Sequence, residues 1–244
     1  SNTGLADLSV RALARDPVDT ATLYVQTWEG ISKSVDNGRS WTRVNDSPAG
    51  TALVVDPNDN ATVYATGYLR GVVKTTDGGV TWSQKNQGFP NYNYPRTIAV
   101  APTTPNTVYA GLHDVYSGAP PGGVYRSTDG AETWSYLGLE DEAVYTILVH
   151  PTNPNLLYVG GWHGLFISYD GGDHWTERHP DLPIYVSAIA MDPRDPSTMY
   201  AGTWDDGIYK SVDLGETWFI LDEDGSPSRH LATFQLTVDP AWPY

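Results

Sequence analysis

Ser211-Val212-Asp213-Leu214-Gly215-Glu216-Thr217-Trp218 is the segment that decides the fold, because the chain contains five copies of it. The other copies occupy residues 34–41, 75–82, 127–134 and 168–175 and share the pattern Ser/Thr-x-Asp-x-Gly-x-Ser/Thr-Trp. Two copies depart from it, with Ala131 in place of the Gly and His174 in place of the Ser or Thr. We call these eight-residue segments the Asp motifs.

The spacing of the Asp motifs predicts a β-propeller. Their Asp residues are 41, 52, 41 and 43 positions apart, and a period of roughly 40 to 50 residues is that of a four-stranded propeller blade. We expect an all-β, single propeller domain over 1–244, with antiparallel blades at about 10–50, 51–95, 96–144, 145–186 and 187–232 and an extra inner strand at 233–240. Five blades are favoured, and six or more are expected if the chain is a fragment.

Within each repeat, two spacings are constant and two vary. A Pro that ends an apolar stretch precedes a Tyr by seven residues in every repeat, and the motif Asp precedes the motif Trp by five. From the Tyr to the next motif Asp the distance varies between 12 and 20 residues, and from the motif Trp to the next Pro between 16 and 22. Because antiparallel strands alternate their connections between two ends, the variable loops share one face, which is often the binding face of a repeat protein.

The Asp motif itself is typical of a hairpin turn with a structural role. Its Asp can accept backbone hydrogen bonds, its Gly can adopt a positive φ, and its Trp can pack between strands or blades. The alternative, an acidic catalytic or calcium site, requires carboxylates that the blade spacing keeps far apart. We therefore predict structural roles for Asp36, Asp77, Asp129, Asp170 and Asp213 and for Trp41, Trp82, Trp134, Trp175 and Trp218.

Composition excludes several function classes. The formal net charge of −15, with only 14 Lys and Arg, argues against nucleic acid or an anionic membrane as partner. No Cys is present, so disulfides, thiolate metal sites and Cys nucleophiles are excluded. No apolar run is long enough to insert into a membrane. A start at Ser1 without a leader is expected of a mature exported chain or a trimmed one, and we expect an extracellular or periplasmic protein.

The five motifs at blade spacing resemble the Asp-box, or bacterial neuraminidase repeat, propellers. That group includes sialidases, sortilin, two-propeller xyloglucan hydrolases and photosystem assembly factors, and the resemblance covers nearly the whole chain. It implies the fold, and it implies a functional site away from the motifs. The Phe/Tyr-Arg-Ile-Pro stretch of sialidases is absent, and the chain is too short for the second propeller of the xyloglucan hydrolases. No catalytic residue can therefore be carried over.

An aromatic position recurs four residues after each repeated Tyr, on the variable face. Such rings can stack on sugars or anchor a protein loop, because aromatic side chains bury much area at low entropy cost. Alternatively, they cap the blades and pack on one another. The predicted ligand-binding residues are Trp28, Tyr68, His113, Trp162 and Trp204.

Acidic residues beside these rings suggest an alternative, catalytic use of the face. Glu29, Asp114 and Asp205 could supply the carboxylate pair that glycoside hydrolysis needs, or they are solvated loop residues. The acidic run 140–142 is interpreted as a solvated loop. Arg11 and Arg96, six residues before their Pro, are expected to pair with nearby acids, and Tyr145 occupies the same position. The six His show no ligand spacing, so we predict neither a metal site nor a cofactor.

Three functions remain open. The leading prediction is a non-enzymatic propeller that binds a protein or glycan partner through the variable face. The alternative is a glycoside hydrolase, similar to the xyloglucan hydrolases or to sialidases, or a fragment of one. A third possibility is a scaffold subunit of a larger complex, which would show a broad apolar patch instead of a cleft.

Overall fold

The computed structural model describes residues 2–46, 50–67, 70–90, 94–104, 106–113, 122–176, 179–221, 233 and 235–239. Its strands form five antiparallel sheets, one for each repeat, which confirms the predicted all-β propeller architecture. In each sheet the strands neighbour one another in chain order, as in a blade built of successive hairpins.

The strands of each blade run from the centre of the propeller outward. Blade 1 contains β1 (Ala12–Arg15), β2 (Leu23–Thr27), β3 (Gly30–Ser34) and β4 (Thr42–Asn45). Blade 2 contains β5 (Leu53–Val55), β6 (Val63–Gly67), β7 (Gly71–Thr75) and β8 (Ser83–Gln84). Blade 3 contains β9 (Pro95–Val100), β10 (Val108–Leu112), β11 (Gly123–Ser127) and β12 (Ser135–Gly138). Blade 4 contains β13 (Val144–Val149), β14 (Leu157–Gly161) and β15 (Gly164–Ser168). Blade 5 contains β16 (Val186–Met191), β17 (Met199–Thr203), β18 (Ile208–Ser211) and β19 (Phe219–Ile220).

The outermost strand is the weakest part of each blade. In the described part of blade 4 no fourth strand is assigned, although Thr176 N and His179 N donate to the carbonyl oxygens of Ile167 and Leu165 at 2.9 and 3.0 Å along the edge of β15. Each assigned fourth strand begins one residue after the motif Trp. Edge strands bury little apolar surface, so their sequences mark their bounds poorly.

The hydrophobic core lies between blades. The second strands of blades 2, 3 and 4 are buried along their whole length, because a neighbouring blade covers each of their faces. Four clusters of buried side chains fill the four junctions between consecutive blades. A Cβ added at Gly160 would lie 2.7 Å from the carbonyl oxygen of Val186, so the first residue of the next inner strand packs directly against this glycine.

The segment predicted as an extra inner strand differs from that prediction. Its described residues, 233 and 235–239, pair in no β-ladder, although Thr233 N donates to Thr203 O at 3.0 Å. The segment therefore lies beside blade 5, where a following inner strand would start. A β-ladder needs a series of backbone hydrogen bonds between two strands, and the described residues of this segment form no such series. No helix long and apolar enough to cross a bilayer occurs in the part of the chain that is described.

Candidate functional site

The two faces of the propeller carry different features. The Asp motifs follow the third strand of each blade and lie on one face, which we call the lower face. The turns between the second and third strands lie on the opposite, upper face, together with the connections from one blade to the next. Trp28, His113, Trp162 and Trp204 occupy these upper turns. Tyr68, the fifth predicted ring position, lies outside the described residues.

Three of the predicted rings are solvent-exposed on the upper face. Trp28 is 55% exposed, and Trp162 and Trp204 are each 39% exposed. Trp162 packs edge-on against Tyr185 with a centroid distance of 4.6 Å, and this contact holds the Trp162 ring in its orientation. His113 is less exposed and packs near Tyr94 and Tyr145. Exposed tryptophans held in fixed orientations are suited to stack on a ligand.

A ring of five side chains surrounds the upper mouth of the central channel, one from each blade. Each occupies the same position in its repeat, six residues before the Pro that precedes the recurring Tyr, so the five equivalent inner strands place them at the same height in the channel. This mouth ring consists of Arg11, Thr51, Arg96, Tyr145 and Ser187. With Val10 and Trp204, it lines a cavity of about 420 Å³. Three members, Arg11, Arg96 and Tyr145, stand out in the sequence by residue type, whereas Thr51 and Ser187 share the register without doing so.

The two arginines of the mouth ring stack on aromatic rings. The guanidinium carbon of Arg11 lies 4.6 Å from the ring centroid of Trp28, and that of Arg96 lies 4.6 Å from that of Tyr145. Neither arginine forms an ion pair with an acidic side chain among the described residues. The expectation that they pair with acids is therefore wrong for this part of the chain. Partial burial lowers the pKa of Arg96, and the charge of Arg11 adds to that effect.

A buried carboxylate supports the turn that carries Trp162. Glu142 is only 3% exposed, and it accepts hydrogen bonds from His163 N at Oε1 and contacts His163 Nδ1 at Oε2, both at 2.9 Å. Burial raises the pKa of the Glu142 carboxyl, and the hydrogen bonds from His163 oppose that shift. The interpretation of residues 140–142 as a solvated loop is wrong for Glu142. Its partner comes from the next upper turn, which no local sequence pattern shows.

Neither Glu29 nor Asp205 is among the described residues that line the cavity at the channel mouth. Glu29 lies 3.7 Å from an amino group of Arg43 on β4, and Arg43 also donates to the Glu29 carbonyl oxygen, so Glu29 is drawn toward the outer edge of blade 1. Asp205 is exposed beside Trp204. Asp114 lies outside the described residues. No group of three His, Asp or Glu suited to hold a metal ion occurs among the residues that are described.

Each Asp motif forms a tight turn around its carboxylate. In blade 5, Asp213 accepts hydrogen bonds from Ser211 Oγ at 2.7 Å, Thr217 N at 3.0 Å and Thr217 Oγ1 at 2.5 Å. These bonds favour the charged form and lower the pKa of Asp213 to about 2. The turn needs two successive positive φ angles, and Ala131 adopts the second at 72° where the other copies have Gly.

The Asp motifs also join each blade to the one before it. Tyr24 and Lys33 of blade 1 both donate to the carbonyl oxygen of Gly78 in blade 2, at 3.0 and 2.9 Å. Tyr109 and Arg126 of blade 3 bind Gly171 of blade 4 in the same way, at 3.1 and 2.9 Å, and Tyr158 of blade 4 donates to Leu214 of blade 5 at 2.7 Å. In blades 1, 3 and 4 the recurring Tyr is thus a buried donor to the motif of the next blade, and in blade 2 Lys74 donates to Gly130 O at 2.8 Å.

Antiparallel blades around a channel, with joining motifs below and exposed aromatic rings above, define a β-propeller whose two faces differ in this way. The chain belongs to the DUF6242 beta propeller domain family, which matches residues 17–191.

The chain is also similar to proteins that act on polysaccharides. It is 26% identical to the xyloglucanase Xgh74A of Acetivibrio thermocellus, with 95% of the chain and 34% of that protein covered. It is 27% identical to a xyloglucanase of a Paenibacillus species, with 96% of the chain and 28% of that protein covered. The chain thus spans about a third of the length of the curated relatives it matches.

Solved structures share the fold. The crystal structure of an ancestral GH74 enzyme superimposes with a TM-score of 0.79 at 22% identity, covering 98% of this chain and 33% of that one. The GH74 enzyme of Niastella koreensis superimposes with a TM-score of 0.72 at 23% identity, covering 86% and 38%. At this identity the likeness concerns the fold alone.

Proposed function

We propose that this chain is the propeller part of a glycoside hydrolase related to the xyloglucanases, and that its upper face binds the polysaccharide. The observation that carries the proposal is the set of exposed tryptophans Trp28, Trp162 and Trp204 on one face, in a chain whose relatives are xyloglucanases. Flat aromatic surfaces suit the apolar faces of pyranose rings, and their stacking gains binding energy at low entropic cost. The non-enzymatic propeller that binds a protein or glycan partner, expected from the sequence, is less well supported by these relatives.

The chain's own contribution is first of all binding, since it spans about a third of its relatives. We treat 1–244 as one propeller domain that supplies one wall of a glycan cleft. Asp205 is our candidate for a catalytic carboxylate, because it lies exposed next to Trp204 on the binding face. Glu29 is a weaker candidate because Arg43 holds it toward the rim. We propose an extracellular or periplasmic location, as suits a polysaccharide ligand; membership of a larger complex stays a prediction.

The experiment that tests the proposal is binding of xyloglucan oligosaccharides, measured by isothermal titration calorimetry. Trp162→Ala and Trp204→Ala are each expected to weaken binding by roughly ten-fold, the loss of a stacking contact worth about 1–1.5 kcal/mol. Trp134→Ala is unsuitable as a control because that side chain is buried. Tyr169→Ala on the lower face, where Tyr169 is 55% exposed, is the matched control and should bind as the wild type does.

Catalysis is tested separately, by release of reducing ends from xyloglucan in the presence of the wild type, Asp205→Asn and Glu29→Gln. If cleavage occurs, Asp205→Asn is expected to abolish it without weakening binding, and Glu29→Gln to leave most of it. A wild-type chain that binds no xyloglucan oligosaccharide at millimolar concentration would contradict the proposed function.

A further inference from the structure

The mouth ring concentrates positive charge in a strongly acidic protein. The chain holds 29 acidic and 14 basic residues, yet two of its arginines meet at one channel mouth. Among the described residues, those that line the cavity there include Arg11 and Arg96 and no Asp or Glu. The net negative charge of the rest of the molecule repels anions, so an anion is expected to bind at this local cationic site and not elsewhere on the surface. An anion between the two arginines also reduces the repulsion between their like charges in this partly buried channel mouth.

The orientation of the two guanidinium groups is set by aromatic rings. Each lies 4.6 Å from a ring centroid, Arg11 over Trp28 and Arg96 over Tyr145. A guanidinium stacked on a ring directs its N–H donors outward in its own plane, which is the geometry for a two-pronged contact with a carboxylate. Stacking also restricts the side chain before a ligand arrives, so less entropy is lost on binding.

The remaining members of the mouth ring are polar but not charged. Thr51 Oγ1 donates to Arg96 O at 2.5 Å, and Ser187 Oγ donates to Gly202 O at 3.1 Å. Their hydroxyl hydrogens are engaged, and their oxygens can accept bonds from the hydroxyls of a sugar. The cavity of about 420 Å³ lies within the range of small-molecule sites, and Trp204 adds a flat apolar wall.

We propose that the mouth ring is a subsite for the carboxylate of an acidic sugar, with Arg11 and Arg96 as its cationic ligands. The inference rests on the proposed function, because it assigns to the glycan bound on the upper face a uronic acid at the channel mouth. A planar carboxylate matches two arginine forks, and the neighbouring rings of Tyr145 and Trp204 match the pyranose that carries it.

The test compares two ligands that differ only in charge: an oligosaccharide containing glucuronic acid, and the same oligosaccharide with its carboxyl reduced to the alcohol. Calorimetry is carried out at fixed salt, because exposed charges are screened. The acidic ligand is expected to bind the wild type roughly ten-fold more tightly than the reduced one. Arg11→Gln and Arg96→Gln should each remove most of that preference. Arg39→Gln, which removes the same charge from the lower face, should retain it.

Folding of each variant is verified by its unfolding midpoint, and Arg96→Lys provides a milder change that keeps the charge but not the fork. Equal binding of the acidic and reduced ligands by the wild type would overturn the inference. So would an Arg11→Gln and Arg96→Gln double variant that still binds the acidic ligand more tightly than the reduced one. Neutral xyloglucan binding in the same series would leave the proposed function standing.

A failure of every glycan to bind would overturn the proposed function instead. Binding of free glucuronate then tests separately whether the mouth ring is a carboxylate site. Thermal protection of the wild type by glucuronate, but not of the double variant, supports a carboxylate site. Absence of protection in both overturns it. Inorganic sulfate serves as the comparison anion: equal protection by sulfate and glucuronate would mean an unselective anion site and would overturn the assignment to a sugar carboxylate.

Discussion

At the scale of single residues, the carboxylates of the Asp motifs combine a structural role with a consistent electrostatic signature. Three or more donors converge on each, and their hydrogen bonds lower the pKa of Asp129, Asp170 and Asp213 to about 2. Blade 4 differs in its donor, because His174 contacts Asp170 Oδ2 through Nδ1 at 2.6 Å where other motifs use a hydroxyl. That hydrogen bond, and the charge of Asp170, raise the pKa of His174.

The first prediction follows from this substitution of imidazole for hydroxyl. A raised folded-state pKa means that charged His174 contributes stability fully below the ordinary histidine pKa of about 6.5, and that this contribution is lost as the pH rises through the folded-state value. His174→Thr should remove this dependence. The unfolding midpoint of the wild type should therefore fall, relative to that of His174→Thr, as the pH rises above the ordinary histidine pKa of about 6.5.

The converse variant is Thr217→His, which places an imidazole on Asp213 in the equivalent turn of blade 5. It is expected to introduce a similar dependence on pH, and nuclear magnetic resonance titration should show a raised pKa for each of the two histidines. Parallel pH profiles for the wild type and His174→Thr would contradict the prediction.

At the scale of elements, the hairpin of β14 and β15 shows how an upper turn is held in place. Its turn carries Trp162 and His163, and the carboxylate of Glu142, from the preceding connection, binds the backbone and ring of His163. A Cβ at Gly161 would lie 2.2 Å from Glu142 Oε1, so the glycine leaves the space that this carboxylate fills. The exposed tryptophan is thus positioned by a buried group on a different blade connection.

The second prediction concerns that buried group. Glu142→Ala removes the acceptor of the His163 backbone and ring, and the loss of hydrogen bonds to a charged, buried acceptor should lower the free energy of unfolding by about 1.5–3 kcal/mol. Chemical denaturation measures this change, and the fluorescence of Trp162 should shift as its turn loosens. Glu140→Ala alters an exposed acid of the same run and serves as the control. Equal stability of the two variants would argue against a positioning role for Glu142.

At the scale of the whole molecule, the propeller is held by contacts that repeat from one blade to the next. The apolar clusters lie between blades, and in blades 1, 3 and 4 the recurring Tyr donates to a carbonyl oxygen of the following Asp motif. The motifs therefore have two structural roles. Each closes the hairpin of its own blade, and in blades 2 to 5 its backbone carbonyl also accepts hydrogen bonds from the preceding blade. This explains why the lower face has constant loop lengths and why variation is confined to the upper face.

The third prediction tests the joining contact. Tyr158→Phe removes a buried hydroxyl that donates to Leu214 O at 2.7 Å, and should lower the free energy of unfolding by about 1 kcal/mol. Tyr169→Phe is the matched control, because its hydroxyl reaches Glu216 of the same blade 5 motif at 2.7 Å but from an exposed position. We expect a smaller effect there, since water replaces the lost partner. Denaturant midpoints that fall equally in both variants would contradict this account.

Much of the fold was predictable from the sequence, because it depends on local and periodic features. A turn with a constant Asp-to-Trp spacing and a constant Pro-to-Tyr spacing sets the strand order and the face on which loops vary. Those rules also place Trp28, Trp162 and Trp204 on one face. The outer strands and the segment 235–239 were predicted less well, because edge strands leave little hydrophobic pattern and a lone segment has no ladder partner.

The sequence by itself determined the propeller, its motifs and the register that lines up one residue per blade at the channel mouth. Only the tertiary structure decided which of those residues act together. It showed that Arg11 and Arg96 stack on aromatic rings, that Glu29 is drawn to Arg43, and that Glu142 is buried beneath His163. The physical reason is that burial and charge pairing depend on which turns of different blades meet in space, and no periodicity along the chain records that proximity.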